Sequence, residues 1–311
     1  VDVFPFLSSP AVRAVAVLGA AAFGAIWGSF LNVCIARVPL GQSVVRPGSH
    51  CFACGRPVRP YDNIPILSYF LLRGRCRDCG ARFSPRYAAV EALMAALSVL
   101  LLRSFVLDFP GLPLGLRVAR YATYFAFTAV LVVLTFIDLD TKRLPDVITL
   151  PSVVVFYAAG FAVGGPSWSD RLIGAAAGYL VVRIVADVYY YSTGREGLGL
   201  GDGKLLAFMG ALLGWKALPP IMFCASFLGI VVSVPLLLAR RRKDLASKDL
   251  ALNPGGPADT SSPTTASEPT EPASIRRAEV PFGPFLALSA LGYVFLREPV
   301  WAWLSGFIIG D

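Results

Sequence analysis

The chain has 311 residues, of which 56% are hydrophobic and 15% charged, with a mean hydropathy of +0.64 and a net charge of +8. A soluble domain carries about 25% charged residues, so this composition excludes an ordinary water-soluble fold and points to a polytopic membrane protein. The basic excess is gathered in connecting segments. No nucleic-acid-binding module and no aromatic–basic interleaving occur, so the charge reports topology rather than binding to DNA or RNA.

The N-terminal ten residues carry Asp2 but no Lys or Arg. A cleaved signal peptide needs a positive start, so Ala11–Val33 reads as a retained first membrane helix. Its end, Gly28-Ser-Phe-Leu-Asn-Val-Cys-Ile-Ala-Arg-Val-Pro39, gathers small and polar residues at a membrane boundary. Asn32 and Arg37 can hydrogen-bond there, with interhelical packing an equal reading for Asn32, and Pro39 closes the helix.

From Arg37 to Tyr87 there are nine Arg against Asp62 and Asp78, a balance of +7. The positive-inside rule puts this segment in the cytoplasm and the N-terminus outside. It holds Cys51-x-x-Cys54 and Cys76-x-x-Cys79, with 21 residues between the pairs. Two such knuckles match tetrahedral thiolate coordination of zinc in a ribbon-like domain; two disulfides are the competing reading, which a reducing cytoplasm disfavours. A segment so poor in aliphatic residues needs a staple to fold. His50 adjoins Cys51 as a bystander, and Cys34 and Cys224 lie in apolar helices, where packing explains them.

Apolar spans follow at 87–106, 119–137, 147–163, 172–190, 204–218 and 221–239. An eighth begins at Val280–Phe295 and extends weakly to Leu304, with Trp301 and Trp303 near the far interface. Glu91 falls near the cytoplasmic start of the second span. Asp138 sits at the end of the third, next to Lys142 and Arg143. Asp140 and Asp146 are expected to be solvated in the following loop, with Asp146 able to cap the next helix. The run Arg240-Arg-Arg-Lys243 marks the cytoplasm again. Asp244–Ala278 is rich in Pro, Ser, Thr and charge, cannot bury a core, and is expected to be disordered.

Counting spans returns the loop Glu196-Gly-Leu-Gly-Leu-Gly-Asp-Gly-Lys204 to the same face as Asp138. This loop has neither the spacing of a dinucleotide fingerprint nor the Ser or Thr of a P-loop, because Leu205 follows the Gly-Lys. Gly199 and Gly201 let backbone approach closely, and Lys204 supports the same site. A plain connector between helices would explain the glycines alone. The second carboxylate decides against it. Asp138 and Asp202, 64 positions apart at helix ends on one face, cannot both ionise cheaply if brought together, which is the acid–base requirement of an aspartyl protease. No serine-nucleophile arrangement competes.

In these residues the chain resembles the bacterial type IV prepilin peptidases, the leader peptidase/N-methyltransferases of the GxGD class. The resemblance covers Gly28–Val33 with Arg37 and Pro39, both CxxC pairs, Tyr61-Asp-Asn-Ile-Pro65, Arg73–Arg77, Arg86-Tyr87 with Glu91, Asp138 with Leu144-Pro-Asp146, Gly199–Lys204 and Pro281-Phe-Gly-Pro284. The segment 244–278 is longer than expected for that family. The resemblance implies an all-α membrane protein of about eight transmembrane helices in the bacterial inner membrane, with its active site facing the cytoplasm. It implies catalytic Asp138 and Asp202, cleavage of a short basic leader from prepilins or type II secretion pseudopilins, and N-methylation with S-adenosylmethionine. For the methyl donor the candidates are Asn32, Arg37, Tyr61, Asp62, Arg73 and Glu91, each with helix capping or a salt bridge as an even alternative. The implied division is a first helix over 1–36, a zinc and methyltransferase region over 37–87, a protease core over 88–239, a loop over 240–279 and a last span over 280–311. Another GxGD intramembrane protease and a non-enzymatic zinc-ribbon scaffold of a secretion system are the competing readings. Substrate identity and oligomeric state are not written in the sequence.

Overall fold

The computed structural model describes the backbone of residues 9–108, 111–194, 199–252 and 281–308, and the side chains of these residues except 236–252 and 297–308. The regular structure of the described residues is helical, with two isolated β-bridges in the loops between 41 and 85. Its helices are α1 (Pro10–Arg37), α2 (Leu67–Leu71), α3 (Arg86–Leu102, running into a π turn at Arg103–Leu107) and α4 (Leu114–Thr141). Then come α5 (Asp146–Val163), α6 (Trp168–Thr193), α7 (Leu200–Leu213), α8 (Leu218–Leu252) and α9 (Gly283–Ile308).

Among the described residues six helices, α1, α3, α4, α5, α6 and α8, are long and apolar enough to cross a membrane. The two other expected spans differ. In α9 the apolar stretch described is Gly283–Leu296. Helix α7 has 14 residues, about 21 Å at 1.5 Å per residue against a hydrocarbon layer of about 30 Å. It tolerates that shortness because ten of its residues are buried in protein.

Close approach between helices comes from glycines. A Cβ on Gly174 of α6 would lie 2.6 Å from the carbonyl oxygen of Gly210 in α7, and one on Gly28 of α1 would lie 2.6 Å from Cα of Glu91 in α3. Small residues at such spacing let membrane helices pack backbone to backbone. Two buried clusters result. One joins α1, α3 and α4 through Leu31, Ile35, Met94, Leu101 and Val132. The other gathers α4 to α9 around Phe127, Phe156 and Phe208, whose ring centroids stand 4.7–5.6 Å apart. That aromatic triad locks α4, α5 and α7 together, and so fixes Asp138 relative to Asp202.

Between α1 and α3 the chain forms two matching knuckles. In each, a glycine with φ near +70°, Gly55 or Gly80, donates its N–H to the first cysteine of the pair, at 2.8 Å to the Cys51 carbonyl and 2.9 Å to that of Cys76. The two halves are tied by Arg77 on Asp62 and by Arg56 and Arg59 on Asp78.

Several expectations are corrected in detail. Helix α4 runs to Thr141, so Asp140 is helical rather than in a loop; it is exposed, as expected, and forms a 2.7 Å ion pair with Arg86 at the head of α3. Asp146 is the first residue of α5 and makes no capping bond; its carboxylate takes Lys204 of α7. Cys224 is exposed on α8 rather than packed, whereas Cys34 packs against the first cluster. Helix α8 continues through Arg240–Lys243 to Leu252, into the segment expected to be a disordered loop, because Leu, Ala, Lys and Asp precede the first breaker at Pro254. Residues 195–198 and 253–280 of the two expected loops lie outside the described residues, as do the side chains of Trp301 and Trp303.

Candidate active sites

Asp138 is three residues before Thr141, the last of α4, and Asp202 is the third residue of α7. Gly199, extended at φ −72° and ψ 123°, turns the chain into α7, so Asp202 belongs to the first helical turn rather than to the loop before it. The intervening α5 and α6 form a hairpin that brings the chain back to the same end of the bundle. Both aspartates line one open cavity of about 1320 Å³, with Lys142, Leu144, Asp146, Gly199, Gly201 and Lys204 around them. Asp202 lies within the field of the Asp138 charge.

A third element completes the pair. The backbone N–H of Gly283, at the head of α9, donates to Oδ2 of Asp138 at 3.1 Å in a buried position. A Cβ on residue 283 would stand 2.5 Å from that same oxygen, so only glycine fits. This amide sits at the helix N-terminus, where the positive end of the dipole also favours the carboxylate. Pro281 and Phe282 also line the cavity. Sequence reasoning noted Pro281–Pro284 only as part of a resemblance. The signal that α9 serves Asp138 is a contact across 145 positions, which no local pattern reveals.

The four cysteines of the two knuckles converge, with all Sγ atoms within 4.8 Å of one another. Cys51 and Cys79, from different pairs, are 3.7 Å apart. Thiolates at about 2.3 Å from one tetrahedral zinc stand at roughly that separation, whereas bonded sulfurs are about 2.05 Å apart. The Cys51 thiol is held down to about 7, first by the amide of Cys54 and then by that of Ala53. The donor set and spacing fit zinc. His50 stands outside the cluster and meets the Gly48 carbonyl through Nδ1.

A second cavity, of about 720 Å³, opens between this domain and the ends of α1 and α3. Of the six methyl-donor candidates, Asn32, Arg37, Asp62 and Glu91 line it, while Tyr61 and Arg73 do not. Asn32 donates to the Tyr87 carbonyl at 3.0 Å, tying α1 to α3. Arg37 is engaged with the carbonyls of Ser43, Pro47 and Gly48. Asp62 is gripped by Arg77 at 2.6–3.1 Å, which holds its carboxyl below the usual range. Glu91 is 9% exposed; its Oε2 accepts the Ile66 amide at 2.7 Å, and it has no basic partner among the described residues. Ser29, Tyr69, Phe83 and Tyr87 are lining residues that sequence reasoning missed. One three-residue turn, Val38–Leu40, separates the cavities: Val38 and Pro39 face the aspartates, and Leu40 faces the second chamber.

Comparison with known proteins matches both halves in the same order. Residues 22–105 fit the bacterial peptidase A24 N-terminal domain, and residues 125–234 fit the type IV leader peptidase family. A prepilin leader peptidase/N-methyltransferase from Myxococcus xanthus is 36% identical over 315 residues, covering 91% of this chain and 90% of the relative. Relatives of the same name from Aeromonas hydrophila (38% identical, 75% of this chain and 84% of theirs) and Neisseria gonorrhoeae (35%, 72% and 83%) agree. No solved structure matches the chain. With the cysteine domain and the paired aspartates falling in successive matched segments of near full-length relatives, the chain belongs to the type IV leader peptidase family.

Proposed function

We propose that the protein cleaves the leader from type IV prepilins or type II secretion pseudopilins with Asp138 and Asp202, and then methylates the new N-terminal amine. The observation that carries the reading is the meeting of the two carboxylates in one open cavity, with the α9 amide on one of them only. Asp138, which accepts that N–H, is the carboxylate base. It takes a proton from water as the water oxygen attacks the scissile carbonyl carbon. Asp202 gives its proton to the carbonyl oxygen. The tetrahedral intermediate then collapses, the C–N bond breaks, and the amine leaves with the proton held at Asp138. Lys204, held on Asp146, and the small residues Gly199 and Gly201 shape the rim where the substrate backbone enters.

The second chamber is the site for S-adenosylmethionine. Its volume lies in the range of small-molecule pockets, and its aromatic residues and carboxylates suit an adenine ring and a cationic ligand. When bound, that cofactor supplies an electrophilic methyl group. Asn32, Asp62 and the aromatic lining hold it. Glu91, the carboxylate there without a basic partner, orients the substrate amine and takes its proton. Zinc on Cys51, Cys54, Cys76 and Cys79 would hold together the domain that supplies His50, Phe52 and Phe83 to the lining of this chamber. Both chambers face the cytoplasmic side of the bacterial inner membrane, a reading that the basic segment supports.

The test uses purified protein in nanodiscs, with cleavage of a prepilin and methyl transfer to processed pilin assayed separately. Asp138→Asn and Asp202→Asn should each abolish cleavage, the double variant should be no worse than either, and methyl transfer should persist. Substantial cleavage by either variant refutes the dyad, and joint loss of methylation refutes separate sites.

A further inference from the structure

Helix α2 is five residues long, and an isolated helix of that length is unstable in water. It is held by the residue before it. Ile66, at φ +64°, donates its N–H to Glu91, five residues inside α3. Since α3 is long and apolar enough to cross a membrane, that bond pins α2 beside the second turn of the helix, at a residue about 8 Å of helix rise from its start. One face of α2 turns inward: Ser68 is 7% exposed, and Tyr69 lines the second chamber. The other face carries Leu67, Phe70 and Leu71, which are 60%, 69% and 77% exposed. These are positions i, i+3 and i+4, one apolar ridge.

The chain that follows carries Arg73 and Arg75, and the bridge of Arg75 with Arg82 sets a third guanidinium beside them. All three are exposed, and none has an acidic partner among the described residues, although Arg56, Arg59, Arg77 and Arg86 of the same segment all do. An apolar ridge beside the first turns of a candidate span, followed at once by unpaired cations, is the pattern of a segment lying in a membrane interface.

We infer that α2 is an interfacial anchor: Leu67, Phe70 and Leu71 enter the leaflet on the cysteine-domain side, while Arg73, Arg75 and Arg82 bind anionic lipid headgroups. Phe30 of α1 and Leu93 of α3, on the two helices beside it, are likewise exposed. A basic leader peptide is the wrong occupant, because the cluster would repel it. The anchor would set the height of the second chamber over the bilayer, since Ser68, Tyr69 and Glu91 all line it.

The test is amide hydrogen exchange over residues 64–72 of the full-length protein, in nanodiscs of phosphatidylcholine alone or mixed with phosphatidylglycerol. Protection should be greater in the anionic discs and should fall about fivefold for each arginine removed in the series Arg73→Gln, Arg75→Gln and Arg82→Gln. Leu67→Ser with Phe70→Ser and Leu71→Ser should abolish it in both kinds of disc. Zinc content of each variant reports that the domain has kept its fold. Equal protection in the two lipid compositions, or protection indifferent to the arginines, overturns the inference. Protection that arises only when a prepilin is added would overturn it too, assigning the ridge to the substrate.

Discussion

Replacing Gly283 by Ala is the sharpest test of how the aspartate pair is built. The added Cβ would stand 2.5 Å from Oδ2 of Asp138 and 3.2 Å from its Cγ. Ordinary contact begins near 3.4 Å, so α9 and the carboxylate must separate by about 1 Å, a displacement that costs on the order of 100-fold in rate when it misplaces a reacting group. The same movement stretches the 3.1 Å bond from the Gly283 amide beyond hydrogen-bonding range. A hydrogen bond to a charged group contributes about 1.5–3 kcal/mol, a factor of roughly ten to more than a hundred by itself. The two effects share one cause and do not add, so kcat for prepilin cleavage should fall about 100-fold while KM changes little. Gly292→Ala, in the same helix, is the control: nothing lies within 4 Å of a Cβ there, and Ala favours a helix over Gly by up to about 1 kcal/mol. Turnover should be measured in nanodiscs on variants matched for thermal stability. A Gly283→Ala enzyme within threefold of wild-type kcat, at normal stability, would refute the role assigned to α9.

Cys51→Ser should release the metal from a one-zinc protein and open residues 45–85 to proteolysis, because ligand binding and folding are one event in so small a domain. Zinc content should also drop reversibly on acidification as the thiolates take up protons; a metal-free, protease-resistant Cys51→Ser protein would count against this. Asp140→Asn breaks an ion pair whose members are 43% and 35% exposed, so stability should change by less than about 1 kcal/mol. Arg86→Ala should cost more, since that side chain also meets the Phe136 carbonyl at 3.3 Å and covers its ring at 4.8 Å, and thermal unfolding would rank the two. Glu91→Gln should lower methyl transfer by about tenfold or more while leaving cleavage within threefold, and equal loss of both would deny Glu91 a role in the second chamber.

The site was legible to the extent that it depended on local pattern and on counting spans. Asp138 and Asp202 stood out because carboxylates at the ends of apolar runs are costly, and an even number of crossings between them put both on one face. The cysteines were legible because two spaced pairs have few other uses. Depth and partnership were not. Asp140 and Asp146 read as loop residues because Leu144-Pro145 hides how far α4 persists, and their partners Arg86 and Lys204 lie 54 and 58 positions away. The shortness of α7 is equally invisible, since Leu200–Leu213 and the residues after Gly214 form one apolar run, and only the turn at Gly214, φ +79°, divides them. Tyr61 matched the family motif yet sits outside the chamber, its ring flanked by Arg59 and Arg77.

The turn at Val38–Leu40 acts as a party wall. A partition shared by two rooms cannot be moved to enlarge one without shrinking the other, and here it is only three residues thick. On the proposed reading a chain end freed at the aspartates would begin its next journey one turn of backbone away from Leu40, and α1 itself, through Arg37, is bolted to the loop that roofs the second room. A bulkier residue at Pro39 or a smaller one at Leu40 would be felt on both sides at once. If the two proposed reactions occupy these two rooms, their order is a matter of floor plan: the passage from one to the next is the length of that one turn.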